Sequence, residues 1–306
     1  MARTRFVGDA GLTARMTLVM FLLGGLFVVL VVGLMYAFRG SGLAILIGIG
    51  GIGFAVYQWY NSDKVAMKAM RAREVSPEEA PELHGMIDRL CALADMPKPR
   101  VGIADTQVPN AFATGRSPDR SVVCVTTGIL HTLTAEELEG VLAHELSHVA
   151  HRDVLVMTVA ASAGITAGAL AQGAQYGAFF GGGRRDNNNN GLPIWLVVLI
   201  VSVVVYAVSF VLLRVLSRYR ELAADRAGAH LTMNPGALAS ALQKISGDIA
   251  TIPQKDLRQV SAASALCIAP ALRGPNASSL FSTHPSLDKR IEQLSKIQAE
   301  LGRPQV

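Results

Sequence analysis

Apolar runs without a single Asp, Glu, Lys or Arg occupy residues 16 to 38, 40 to 62, 154 to 183 and 187 to 213. Each exceeds the roughly 20 residues that a helix needs to cross a bilayer, so the pattern predicts four spans in two hairpins. The first, second and fourth runs are rich in Leu, Val and Ile, whereas the third is mostly Ala and Gly with Gln172 and Gln175 inside it. Gly164, Gly168, Gly173 and Gly177 supply small-xxx-small pairs there, which suit close helix packing. The first run is too long for a cleavable signal and no Ala-x-Ala site follows it, which predicts an uncleaved anchor.

A second pattern, with apolar residues at helical spacing, begins at Thr134-Ala135-Glu136-Glu137. This reads as a capping box, the Thr134 hydroxyl accepting from the third residue's amide and Glu137 reaching back. Leu138, Val141, Leu142 and Val149 then recur on one face and predict a helix anchored to a core. Pro99 to Ala104 and Ser121 to Thr126, rich in Val and Ile, read as short strands flanking Val108 to Thr114.

Hydrophobic residues make up 51% of the 306 and charged residues 17%, too apolar a balance for an ordinary soluble protein. Basic residues set an orientation. Arg3, Arg5 and Arg15 precede the first span, Lys64, Lys68, Arg71 and Arg73 follow the second, and Arg214, Arg218 and Arg220 follow the fourth. The positive-inside rule places all of these in the cytoplasm. Arg184 and Arg185, in the loop from Gly181 to Gly191, run against it and are outvoted. A net charge of +5 does not imply nucleic acid, because the positive charge sits beside the spans, where anionic lipid explains it. The polar segments 64 to 153 and 214 to 306 suffice for one cytoplasmic domain. Cys91, Cys124 and Cys267 show no Cys-x-x-Cys spacing and read as reduced core cysteines.

On the capped helix lies His144-Glu145-Leu146-Ser147-His148. Two imidazoles four residues apart share a helix face and can chelate a metal, while Glu145, about 100° further round, can reach a water beside the ion. This is the arrangement of a zinc hydrolase, in which the metal acidifies water and Glu145 acts as general base. A catalytic zinc usually takes three protein ligands. His151 is on the same stripe, but one helix rarely supplies three ligands. The metzincin pattern fails, because Ala150 and Val154 stand where it needs Gly and His. Glu221 and Asp225, four apart after the fourth span, offer a ligand and a carboxylate behind a ligand histidine, or else two solvated acids balanced by Arg218, Arg220 and Arg226.

Taken together, Asn110-Ala111-Phe112-Ala113, His144-Glu145-Leu146-Ser147-His148, Arg220-Glu221-Leu222-Ala223-Ala224-Asp225 and Thr283-His284-Pro285 resemble the HtpX membrane metalloproteases of bacteria, broader relatives of the Ste24 peptidases. The resemblance covers nearly the whole chain. It implies His144, His148 and Glu221 as ligands of one zinc ion, Asp225 as the supporting partner, and quality-control proteolysis of misfolded or damaged membrane proteins at the bacterial inner membrane. The expected fold is mostly α with a small β-sheet, combining the two hairpins with a cytoplasmic gluzincin-like zinc peptidase domain. Its divisions are an N-terminus over 1–15, a hairpin over 16–62, the first part of the domain over 64–153, a hairpin over 154–213 and the second part over 214–306.

Asn110 to Ala113, as a strand beside the zinc helix, is expected to pair with an extended substrate backbone. His284, ahead of Pro285 at a helix entrance, is the candidate for stabilising the oxyanion, and its imidazole is also able to close the zinc site as a fourth ligand. His84, His131 and His230 match no motif. Two other readings stand beside this one: an intramembrane zinc protease of the site-2 type, and a zinc-binding membrane scaffold without activity. The acids ahead of the motif and His151-Arg152-Asp153 behind it put it at the water side, against the first. Glu145 argues against the second, since a structural site needs no base.

Overall fold

The computed structural model describes residues 10–37, 59–153, 194–251 and 285–302, with isolated helical positions between 46 and 57. It divides into two units, one of Thr13–Trp59 and Val156–Leu216, the other of Met1–Leu12, Tyr60–Leu155 and Ser217–Val306. Among the described residues two helices are long and apolar enough to cross a membrane. One lies in α1 (Ala10–Ala37), over Ala10–Leu30 with mean hydropathy 2.0. The other lies in α6 (Ile194–Thr232), over Leu196–Thr232 with mean hydropathy 3.1. Both helices expose large apolar side chains, Phe21 and Val29 on α1 and Ile200, Val204 and Val211 on α6. A helix in a water-soluble core would bury that surface; a lipid-facing one has no reason to. The expected spans over 40–62 and 154–183 fall largely or wholly outside the described residues, as do the loop at Asn187 to Asn190, Cys267 and His284.

The second unit is built on a four-stranded mixed sheet of order β1-β2-β4-β3. A short helix, α2 (Ser62–Ala69), leads into β1 (Ala72–Glu74), which pairs antiparallel with β2 (Arg100–Ala104). β2 runs parallel to β4 (Arg120–Thr126) with Val101 opposite Val123, and β3 (Ala111–Ser117) is antiparallel to β4 with Phe112 opposite Cys124. β4 is buried from Ser121 through Thr126, as befits an inner strand covered on both faces. β3 is left at the edge. Both strands read from the Val- and Ile-rich runs are present, while β1 carries no alternation from which it could have been read.

Five helices complete the unit with the end of α6. They are α3 (Pro81–Ala94), α4 (Thr127–Thr132), α5 (Ala135–Ala150), α7 (Pro235–Thr251) and α8 (Leu287–Glu300). Each longer helix buries one stripe: Leu83, Ile87, Leu90 and Cys91 on α3, Leu238, Leu242 and Ile245 on α7, Leu294 and Ile297 on α8. With Val123, Val125, Leu142 and Leu146 these form one core. Cys91 and Cys124 are free thiols within it, raised to about 11 and about 12 by burial.

Helix α5 is fixed from its first turn. The Glu137 amide donates to Thr134 Oγ1 at 3.4 Å and the Thr134 amide to Glu137 Oε2 at 2.9 Å, completing the capping box. Glu137 also accepts from Ser240 Oγ at 2.6 Å and Lys244 Nζ at 2.8 Å, which ties the start of α5 to α7. Burial works to raise this carboxyl, but Lys244, Ser240 and the Thr134 amide outweigh it and hold its pKa below the ordinary value. A group depressed in this way stabilises the fold above its unfolded pKa and loses that contribution as pH falls through the folded one. Glu137→Ala is expected to cost about 2 kcal/mol at neutral pH, measured by denaturant unfolding of the solubilised protein. The difference from the parent should shrink on acidification; one that grew would contradict the assignment.

Candidate active site

Four buried carboxylates and two buried imidazoles meet where α5 crosses the end of α6. Residues His144, Glu145 and His148 of α5 and Glu221 and Asp225 of α6 are all less than a tenth exposed. The crossing is tight because α6 presents Ala223, Ala224, Ala227 and Gly228 to the core. A Cβ on Gly228 would stand 2.9 Å from the His144 backbone nitrogen and 3.1 Å from its Cα, so only glycine allows this approach. Asp225 and Glu221, about one and two turns back along the same helix, are thereby brought level with the histidines.

His144 Nε2 is 3.7 Å from Glu221 Oε2, and His148 Nε2 is 3.6 Å from Glu221 Oε1. One donor atom from each of the three residues lies within 4.8 Å of the others. Tetrahedral metal bonds of about 2.1 Å separate donors by about 3.4 Å, so slight contraction would close these three on one ion. His144 Nε2 is buried without a hydrogen-bond partner, which an imidazole ligand aimed at a metal would be. The charge balance agrees with a cation here. Among the described residues, Asp153, Glu221 and Asp225 face the guanidinium groups of Arg220 and Arg290. His151 forms the C-cap of α5 and is absent from the donor cluster.

Each histidine has a carboxylate behind it, and each carboxylate an arginine. His144 Nδ1 stands 2.9 Å from Asp225 Oδ1, off the straight hydrogen-bond line, and Arg290 of α8 grips Asp225 through Nε at 2.7 Å and Nη2 at 2.6 Å. His148 Nδ1 lies 2.7 Å from Asp153 Oδ2, which also forms an ion pair with Arg220, its Nε 2.9 Å away but off the straight hydrogen-bond line. Carboxylates in this position fix the imidazole tautomer and leave Nε2 free to bind metal. Burial would raise Asp225, but Arg290 and His144 hold it below the usual range; Arg220 and His148 do the same for Asp153. Burial would lower Arg290, yet Asp225, Glu221 and Glu145 keep it raised.

Asp153, Arg220 and Arg290 had no assigned part in the sequence reading. Asp153 returns toward His148 because Arg152, at φ 57°, turns the chain through the left-handed region past the end of α5. Arg290 had a visible signal, since it falls on the apolar stripe Leu287, Ile291, Leu294 and Ile297, where an arginine is buried and must be paired. Arg220 is next to Glu221 in sequence but serves the other histidine, and no spacing rule announces that.

Glu145 takes a different position from Glu221. Its Oε2 accepts the Ala113 amide of β3 at 3.0 Å. Burial pushes the Glu145 carboxyl up to about 7, helped by the Glu221 charge and opposed by His148 and the Ala113 amide. A proton acceptor poised near neutrality suits general-base chemistry. Asn110 stands just before β3 and its carbonyl accepts the Thr126 amide at 2.9 Å. By the alternation of an antiparallel pair, the backbone groups of Ala111 and Ala113 then face away from β4. Phe112 is directed inward to the core. His284 lies outside the described residues, two before Ser286, whose hydroxyl caps α8 by accepting the Lys289 amide at 3.4 Å.

The chain is similar to known proteins. The profile of peptidase family M48 matches residues 77–298. The protease HtpX homolog 1 of Streptomyces coelicolor is 53% identical over 301 residues, covering 98% of this chain and 97% of its own. The protease HtpX homolog of Moorella thermoacetica is 49% identical over 305 residues, with 98% of each chain covered. Among solved structures, Ste24p of S. mikatae is similar in fold, with TM-score 0.54 at 16% identity over 92% of this chain. This chain spans 65% of that protein's length. The chain belongs to peptidase family M48.

Proposed function

We propose that this peptidase is a membrane-anchored zinc endopeptidase of the bacterial inner membrane that hydrolyses misfolded or damaged membrane proteins and unfolded chains. The observation that carries the reading is Glu145. A buried carboxylate held by the edge of a strand, one residue from a histidine that shares a donor cluster with His148 and Glu221, is built to handle a proton beside a metal. In this reading His144, His148 and Glu221 are the ligands and Asp225 supports His144. Bound there, zinc would supply Lewis acidity toward the scissile carbonyl and toward water. Glu145 accepts the proton of the attacking water and returns it to the leaving amine.

Substrate backbone pairs with the outward groups of Ala111 and with the Ala113 carbonyl, the segment Asn110 to Ala113 acting as the recognition edge. Main-chain pairing has little sequence preference, which suits unfolded substrates. His284 stabilises the oxyanion. Supporting its placement, α8 starts three residues later and brings Arg290 onto Asp225. The four spans divide the chain as read from the sequence, with 64–153 and 214–306 forming the cytoplasmic domain.

Purified protein should degrade unfolded casein, lose that activity to a chelator and regain it with zinc. Glu145→Gln is expected to keep zinc bound while turnover falls by about 10²- to 10⁴-fold; full activity in the variant would remove Glu145 from the mechanism. Elemental analysis should find zinc depleted in Glu221→Ala and retained in His151→Ala, the reverse transferring the ligand role to His151. Topology is checked by single cysteines in a cysteine-free background of intact cells. An impermeant reagent should label position 188 and leave position 300 unlabelled, and the opposite pattern would invert the orientation.

A further inference from the structure

A basic cleft, remote in the sequence from the catalytic motif, opens where the second apolar run ends. It has a volume of about 580 Å³ and is lined by the segments around Tyr60 and Lys64, Lys98 and Arg100, and the β3–β4 turn from Arg116 to Ser121. Five of its side chains are cationic and two, Asp63 and Asp119, are carboxylates. The pairing among them is uneven. Arg100 is taken up by Asp63 and Glu74, and Lys98 by Asp88 at 2.8 Å. Among the described residues Lys64, Arg116 and Arg120 make no ion pair with a carboxylate. Arg116 instead lies over the Tyr60 ring, its guanidinium carbon 3.9 Å from the centroid. Stacking holds the guanidinium in place and leaves its hydrogen-bond donors available to an oxyanion.

The sequence position of the cleft identifies its occupant. Trp59 and Tyr60 end the uncharged run 40 to 62, and Asp63 and Lys64 are the first charges after it. Tryptophan and tyrosine at such a boundary mark the headgroup level of a bilayer. A pocket of unpaired cations at that level, lined by one of the belt aromatics, faces phosphodiesters at high local concentration. We propose that the cleft between Tyr60, Lys64, Arg116 and Arg120 binds the phosphate headgroup of an anionic phospholipid. Headgroup binding there would hold the β3–β4 turn at the membrane surface. It rests on the span ending near Asn61 and is independent of the peptidase reading.

Trp59 is a built-in reporter. The chain has two tryptophans, and Trp195→Phe leaves Trp59, which precedes Tyr60 in the chain, as the single reporter. The full-length variant is placed in nanodiscs containing brominated phosphatidylglycerol or brominated phosphatidylcholine, and Trp59 fluorescence quenching is compared. Phosphatidylglycerol is expected to quench in clear preference. Lys64→Gln, Arg116→Gln and Arg120→Gln should each lower that preference about 5-fold, with the parent's circular dichroism spectrum retained as the sign that the protein is folded. Unselective quenching, or a preference that survives all three substitutions, would overturn the headgroup site. No quenching by either lipid would instead remove the span itself. Loss of preference on adding inorganic phosphate would show a free-phosphate site and overturn the lipid as occupant. Should one variant fail to fold, the other two decide by the same comparison.

Discussion

The close approach of two helices at Gly228 sets the geometry on which this molecule depends. Because the backbone of α6 can rest against the backbone of α5 at His144, side chains of ordinary length one and two turns away reach the imidazoles. A crossing at the usual 8–10 Å between axes leaves room for larger side chains and holds carboxylates further off. The run Ala223-Ala224-Asp225-Arg226-Ala227-Gly228 is thus a spacing device as much as a ligand carrier. The small residues select the distance, and the distance selects which acids meet the histidines.

Such a meeting is electrostatically costly unless every charge has a partner. Burying one unpaired carboxylate costs several kcal/mol, and this site gathers four. The protein answers with two ranks, His144–Asp225–Arg290 and His148–Asp153–Arg220, drawn from three separate stretches of chain. Of the other two carboxylates, Glu221 has Arg290 Nη1 3.9 Å from its Oε2, a longer pairing than that of Asp225. Glu221 lies toward the imidazole Nε2 atoms, where a divalent cation would neutralise it, and Glu145 answers its burial by holding its proton up to neutral pH. Burial, with the Glu221 charge nearby, tunes the base, and the Glu221 carboxylate facing both imidazoles fits a cation.

What could be read from the sequence was what depends on local spacing. The capping box at Thr134, the paired histidines and the strand runs around Val101 and Val123 follow from helical or alternating periods, and the folded chain presents them where those periods put them. Spacing alone left Glu221 and Asp225 open between a ligand pair and two solvated acids, and the folded chain buries both beside the histidines. The parts that escaped depend on long-range meeting. Asp153 needs a left-handed turn at Arg152, Arg290 comes from a helix 65 residues beyond its partner, and β1 is three residues held in place by β2. No period in the sequence encodes a partner that arrives from another element. His151 shows the converse: its spacing suited a ligand, but the helix ends at that residue and the donor cluster forms without it.

The separation between Asp225 and Arg290 also has a temporal meaning. A ribosome delivers the two histidines and both acids of α6 well before it delivers Arg290, which lies 65 residues after Asp225. Until then Asp225 lacks the guanidinium that offsets its burial in the folded protein. The carboxylate behind His144 thus gains its countercharge only with the synthesis of α8.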